Sequence, residues 1–120
     1  MQPTIDPLFS VEISDFKPLS VNKAWQGRRF KSKDYNNYEK EAMIILGRAK
    51  KTIDEFVEIE YVFHLKNCNR TDIDNLIKPL QDIIVKCGYI SDDRKIRKIT
   101  AEKKPHTKDC IYFAIYKYPA

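Results

Sequence analysis

Val57, Ile59, Tyr61, Phe63 and Leu65 recur at every second position from 57 to 65. A period of two places all five side chains on one face of an extended strand, whereas a helix would scatter them around its circumference. The chain must therefore build a sheet with this segment half-buried in it. At Ile73 the period changes. Ile73, Leu76, Leu80, Ile83, Ile84 and Cys87 fall at helical spacing, and Gly88 is placed to end the helix. A strand, a helix and a further strand from about Lys95 predict a βαβ-like path that returns beside the first strand. On that path the loops before and after the helix are expected to meet at one end of the sheet.

The remaining elements follow from the same periodicities. Phe9, Val11 and Ile13 alternate with polar residues and predict a strand ended by Pro18; the stretch from Val21 to Lys33, with Gly27, reads as a loop or irregular hairpin. Tyr35, Tyr38, Ala42, Ile45, Leu46 and Ala49 predict a first helix starting near Ser32 or Asp34. Strands over Lys95 to Glu102 and Asp109 to Tyr118 close the list, joined by a turn at Pro105 to Lys108. Pro79 sits inside the second helix, where its ring nitrogen cannot donate and crowds the carbonyl of Asn75, so the helix is expected to start late, near Asp74, or to bend. With 120 residues, 42% of them hydrophobic and 32% charged, the expectation is one α+β domain over 1–120, a small mixed sheet with two main helices.

Several classes drop out. No run of about 18 apolar residues is available for a membrane span, and Met1 to Leu8 lacks the order of a secretory signal, so the expected setting is the cytosol. Cys68, Cys87 and Cys110 are odd in number and unclustered, which predicts burial as small apolar residues in place of disulfides or a CxxC metal site. His64 and His106 form no histidine metal motif.

A formal net charge of +5 favours a polyanionic partner. Lys23, Arg28, Arg29, Lys31 and Lys33 crowd one segment around Trp25 and Phe30; Arg94, Lys95, Arg97, Lys98, Lys103, Lys104 and Lys108 crowd another. Such groups hold phosphates and stack on unpaired bases, or they form a solvated basic face with Trp25 in the core. Both readings stand at this level.

Between the clusters lie Asp72 and Asp74, one residue apart where the second helix begins, followed later by Asp92 and Asp93. One aspartate is accounted for as a helix N-cap; the others are not. Carboxylates gathered in a basic protein repel one another unless a hard cation neutralises them, and oxygen ligands suit Mg²⁺ or Mn²⁺. A Ca²⁺-binding EF-hand is excluded, because the sixth position counted from Asp72 is Ile77 and the twelfth is Ile83. Lys78 shares a helical face with Asp74, either as a rung of an Asp74, Lys78, Asp82, Lys86 ladder or as an ammonium that stabilises charge on a reacting phosphate.

The run TDIDNLIKPLQDIIVKCGYISDDRKI, residues 71–96, resembles the signature of the RusA family of Holliday junction resolvases, in which D-x-D-N-L-x-K opens a helix and a D-D pair follows. PLSVNKAWQGRRFKS, residues 18–32, is similar to the family's proline, serine and asparagine loop, with Leu19 where a second proline is frequent. The resemblance implies catalytic Asp72, Asp74, Lys78 and Asp93, with Asp72, Asp74 and Asp93 binding Mg²⁺, for which Mn²⁺ substitutes. It implies a RusA-like homodimer that nicks two strands of a four-way junction symmetrically, in DNA recombination and repair, in a bacterial cytoplasm and with a phage or prophage origin in view. The candidate DNA contacts are Lys23, Arg28, Arg29, Lys31, Lys33, Arg70 and Arg94. A nuclease for flaps or forks, and a branched-DNA-binding module without catalysis, are the alternatives.

Overall fold

The computed structural model describes residues 6–18, 25–26, 30–31 and 33–119, with backbone alone at 25–26 and 30–31. The alternation from 57 to 65 becomes strand β4 (Val57–Leu65), whose odd-numbered side chains are at most 4% exposed while Glu58, Glu60, Val62 and His64 keep partial exposure. Around it, in the order β1-β6-β4-β5, lie β1 (Phe9–Ser14), β6 (Cys110–Lys117) and β5 (Ile96–Pro105). β4 runs parallel to β5 and antiparallel to β6, which is antiparallel to β1. A short antiparallel ladder of β2 (Trp25–Gln26) and β3 (Phe30–Lys31) falls within the expected hairpin region. The sheet is mixed and the fold is α+β, as the periodicities predict.

Two helices lie among the described residues, α1 (Lys33–Leu46) and α2 (Asp74–Lys86). Both feed the core on the odd-numbered face of β4: Tyr35, Tyr38 and Ala42 from α1, and Leu76, Pro79, Leu80, Ile83 and Ile84 from α2, are buried. The Tyr38 ring stacks on Phe16 with centroids 5.1 Å apart, and Tyr61 donates from its hydroxyl to Gln81 Oε1 at 3.0 Å. Burial pushes that phenol well above its ordinary range. Lys86 Nζ reaches Glu39 at 2.6 Å and joins the two helices.

Both helix ends have a backbone cause. Gly88 ends α2 as expected, with φ +86° and the Tyr89 amide bonded back to the Ile84 carbonyl at 3.2 Å. In α1 the apolar spacing ran on to Ala49, but the helix stops at Leu46, because Gly47 takes φ +68° and turns the chain. Ala49 still packs against the core, and its amide bonds the Cys87 carbonyl at 3.0 Å. Pro79 is tolerated inside α2, buried, in a helix that starts at Asp74.

The parallel pair corrects one expectation. Ile96 pairs with Val57, at the start of both strands, whereas Asp72 and Asp74 follow the far end of β4 at Leu65. A parallel connection must travel back the full length of its strand, so the loops before and after α2 join the β4–β5 ladder at opposite ends; the turn that carries Asp93 nevertheless packs back against α2, with Asp93 Oδ2 3.9 Å from Lys78 Nζ.

All three cysteines are free and buried. The Cys110 thiol donates to Glu12 Oε1 at 3.3 Å, and burial together with that carboxylate pushes it up to about 11. Among the described residues no helix is long and apolar enough to cross a membrane.

Candidate active site

The end of β4 becomes a sharp corner. A single 3₁₀ turn over Cys68–Arg70 is closed by the Arg70 amide on the Asn67 carbonyl at 3.0 Å and anchored by the buried Cys68. From β5, where it pairs with Phe63, Lys103 reaches under this corner: its Nζ donates to the carbonyls of Cys68 at 2.8 Å and Thr71 at 2.7 Å. The basic cluster read from the sequence thus contains one lysine that acts inward, as a clamp on the loop that delivers Asp72. Hydrogen bonds from a charged donor contribute about 1.5–3 kcal/mol. Lys103→Met is expected to lower the free energy of unfolding by about that amount in a denaturant titration; unchanged stability would show that the clamp holds nothing.

Asp72 and Asp74 are both exposed, and neither caps α2. The residue at the cap is Ile73, with φ −62° and ψ −39° and no side-chain hydrogen bond. An N-cap carboxylate needs an extended backbone to fold back onto the amides behind it, and Ile73 is already helical. The first amides are met by tight backbone turns instead: Asn75 N–H on the Asp72 carbonyl at 3.2 Å and Leu76 N–H on the Ile73 carbonyl at 3.1 Å. The capping role read for one aspartate is therefore overturned. Among the described residues neither carboxylate has a hydrogen bond or ion pair.

Lys78, one turn further along α2, donates from Nζ to Asp82 Oδ1 at 2.9 Å and lies 3.9 Å from Asp93 Oδ2. The hydrogen bond it donates to Asp82 leads the causes that raise its pKa above the ordinary lysine value, so the ammonium stays charged at neutral pH. The continuous ladder does not form, because Lys86 turns away to Glu39. Asp82 is the residue the sequence reading undervalued; it appeared there only as a rung. The doubled aspartates separate cleanly. Asp92 caps the 3₁₀ turn Asp93–Lys95, accepting from the Arg94 amide at 2.9 Å, and its carboxylate holds the Arg94 guanidinium through Nη2 at 2.9 Å. Those bonds hold its carboxyl well below the usual range. Asp93 has no guanidinium partner of its own; its carboxyl interacts with that of Asp92 and lies within reach of Lys78.

Two elements thus bring Lys78, Asp82 and Asp93 together, while Asp72 and Asp74 stand at the head of α2. Among the described residues no three His, Cys, Asp or Glu side chains lie close enough to hold a metal ion as a ready-made cluster. The donor chemistry nevertheless fits a hard divalent cation: two exposed, uncapped carboxylates one residue apart supply anionic oxygen and nothing softer.

The family model for endodeoxyribonuclease RusA matches residues 16–116, a span that includes the corner, all of α2 and the Asp92–Asp93 turn. The chain belongs to the RusA family. Its curated relatives include the crossover junction endodeoxyribonuclease RusA of Aquifex aeolicus, 32% identical over 80 residues that cover 65% of this chain and 64% of that protein. A second is the crossover junction endodeoxyribonuclease rusA of Lactococcus phage r1t, 29% identical over 92 residues, 67% of this chain and 70% of that protein. The chain spans just under two thirds of the Aquifex protein's length in that match.

The candidate DNA contacts of this RusA-family chain fare unequally. Lys33 opens α1 in an exposed position. Arg70 is exposed on a groove of about 700 Å³ that also bears Lys17, Asp34 and Glu41, so its surroundings mix both signs. Arg94 is 88% exposed at its side chain yet already paired with Asp92. Lys23, Arg28 and Arg29 lie outside the described residues, as does the side chain of Lys31.

Proposed function

We propose that this chain is a Mg²⁺-dependent endodeoxyribonuclease that resolves four-way DNA junctions by paired, symmetric nicks, acting as a homodimer in a bacterial or phage-infected cytoplasm. The observation that carries the reading is the pair of exposed carboxylates, Asp72 and Asp74, left uncommitted at the head of α2 in a chain of the RusA family. Buried or capping aspartates would be structural; these are available to a ligand.

The residues divide the work. Asp72 and Asp74, with Asp93, hold the cation, for which Mn²⁺ substitutes. When bound, it polarises a phosphodiester and lowers the pKa of water near it. Lys78 keeps its positive charge through Asp82 and places it beside Asp93, where it stabilises negative charge that develops on the phosphate oxygens. Lys103 fixes the corner from which Asp72 projects. A four-way junction has approximate two-fold symmetry, so a dimer of identical subunits presents one site to each of two opposed strands.

A panel of four-way junctions, flaps, forks and linear duplexes, incubated with and without Mg²⁺, tests the substrate class. The expected result is metal-dependent cleavage concentrated on the junction. Preference for flaps or forks would move the chain to another branched-DNA nuclease, and tight junction binding without cleavage in either metal would make it a binding module. Mixed dimers of wild type and Asp72→Asn test the pairing: on a cruciform plasmid they should give nicked circles in place of linear product, and efficient linearisation would sink the symmetric mechanism.

A further inference from the structure

The parallel ladder of β4 and β5 carries one irregularity. Ile96 pairs with Val57 and Lys98 with Glu58, so Arg97 is an extra residue in β5. Such a bulge re-aims its side chain out of the pleat. Here it lays the guanidinium on Phe56, with Cζ 3.7 Å from the ring centroid and 6.0 Å from that of Tyr118. The two rings share a backbone tie, Tyr118 N–H to the Phe56 carbonyl at 2.9 Å. Together they line a groove of about 280 Å³ with Lys117, Glu55 and Pro119.

The neighbouring cations are committed elsewhere. Arg94 is held by Asp92 and Lys98 Nζ lies 3.3 Å from Glu58, while Lys95 Nζ lies 3.8 Å from Asp54 and also 5.2 Å from the Phe56 centroid, sharing that ring with Arg97. Arg97, by contrast, has no hydrogen bond or ion pair among the described residues, so its five N–H donors are all unfilled while its Cζ rests over the Phe56 ring. Shielding Phe56 from water does not explain this, since the ring remains 42% exposed, and an aliphatic side chain would cover it without a charge. A rigid fork of unused donors is a group preorganised for a phosphate. Asp93 lies four residues earlier, in the turn that feeds β5.

We propose that Arg97, held over the Phe56 ring, is a phosphate-binding platform that grips the sugar–phosphate backbone of the DNA strand passing Asp93, with Lys117 as its second cation. The inference rests on the nuclease reading for the identity of the polyanion, and extends it to a binding site where β5 begins, next to the turn that carries Asp93. Glu55 is the opposing charge in the lining, and it restricts the groove to a phosphate that Arg97 and Lys117 can reach from the open side.

Anisotropy titrations of labelled four-way junction and linear duplex, in EDTA so that no strand is cut and at several salt concentrations, read the contact directly. Arg97→Ala should weaken binding to both DNAs by about tenfold and flatten the log–log salt dependence by about 0.9, the signature of one lost phosphate contact. Arg97→Lys should restore the slope and only part of the affinity, because it keeps the charge and loses the stacked fork. Phe56→Ala should weaken binding less than Arg97→Ala, and the double variant should be no weaker than Arg97→Ala alone. Affinity and slope unchanged in Arg97→Ala, with or without a lower melting temperature, would overturn the platform and leave Arg97 as a cover for Phe56. Inorganic phosphate that binds in an Arg97-dependent way while DNA affinity ignores the substitution would reassign the groove to a free anion and likewise overturn it. The two readings fail separately. Wild type that binds duplex as tightly as junction removes the junction preference, yet an Arg97 effect on duplex still upholds the platform.

Discussion

Asp72→Asn, Asp74→Asn and Asp93→Asn are each expected to lower the single-turnover rate of junction cleavage by about 10²–10³-fold or more, the scale on which removal of one preorganised electrostatic group acts. Junction binding should survive or tighten, because each change removes a negative charge from a surface that phosphates approach. Folding should be little affected, since Asp72 and Asp74 carry no cap and no ion pair among the described residues. Asp92→Asn is the informative control. It loosens the Arg94 pair and the 3₁₀ turn and should cost far less cleavage. A lethal Asp92 change beside a harmless Asp93 change would mean that the wrong member of the pair had been assigned to the site.

Lys78→Ala separates two roles that the geometry superimposes. As an exposed i,i+4 partner of Asp82, with side chains 57% and 34% exposed, the lysine contributes only about 0.3–0.5 kcal/mol to stability. As a charge beside the reacting phosphate it contributes several times that to the transition state, so cleavage should fall by about 10²-fold or more while thermal melting barely moves. The raised pKa of Lys78 gives the pH dependence its sign. A folded-state pKa above the unfolded value means that the ion-pair contribution is complete at neutral pH and is lost only as alkaline pH deprotonates the ammonium. Activity that depends on this charge should therefore hold across neutral pH. Lys86→Ala, which breaks the pair with Glu39, should show the opposite pattern, a lowered melting temperature with cleavage retained. Full cleavage by Lys78→Ala would return that lysine to a purely structural pair.

The elements with long, regular periods were legible. β4 and α2 were readable because burial of one face imposes a period of two or 3.6 that no loop imitates. The end of α1 was less so: Ile45 and Ala49 keep the helical spacing, but Gly47 at positive φ ends the helix first. Backbone dihedrals override side-chain spacing at such a position. The roles of the aspartates were only partly legible, since whether a carboxylate caps a helix depends on the backbone angles of one residue. Here that residue is Ile73. Lys103 was counted among outward cations, and nothing in its sequence neighbourhood shows that its partners are carbonyls 32 and 35 residues earlier.

The sequence by itself determined the order of strands and helices, the mixed α+β class, the burial of the cysteines and the placing of Asp74 and Lys78 on one helical face just after Asp72, because each of these follows from spacing along the chain. Tertiary structure decided everything that depends on which segments become neighbours. It put the loops around α2 at opposite ends of the parallel pair, set Asp93 beside Lys78 and Asp82, turned Lys103 inward beneath the corner, and swung Arg97 out through a bulge onto Phe56. The physical reason is that short-range periodicity reports only whether a side chain faces water or core. Partners separated by tens of residues are chosen by strand pairing and packing, and a one-residue change of register exchanges inward and outward side chains without altering the pattern that the sequence displays.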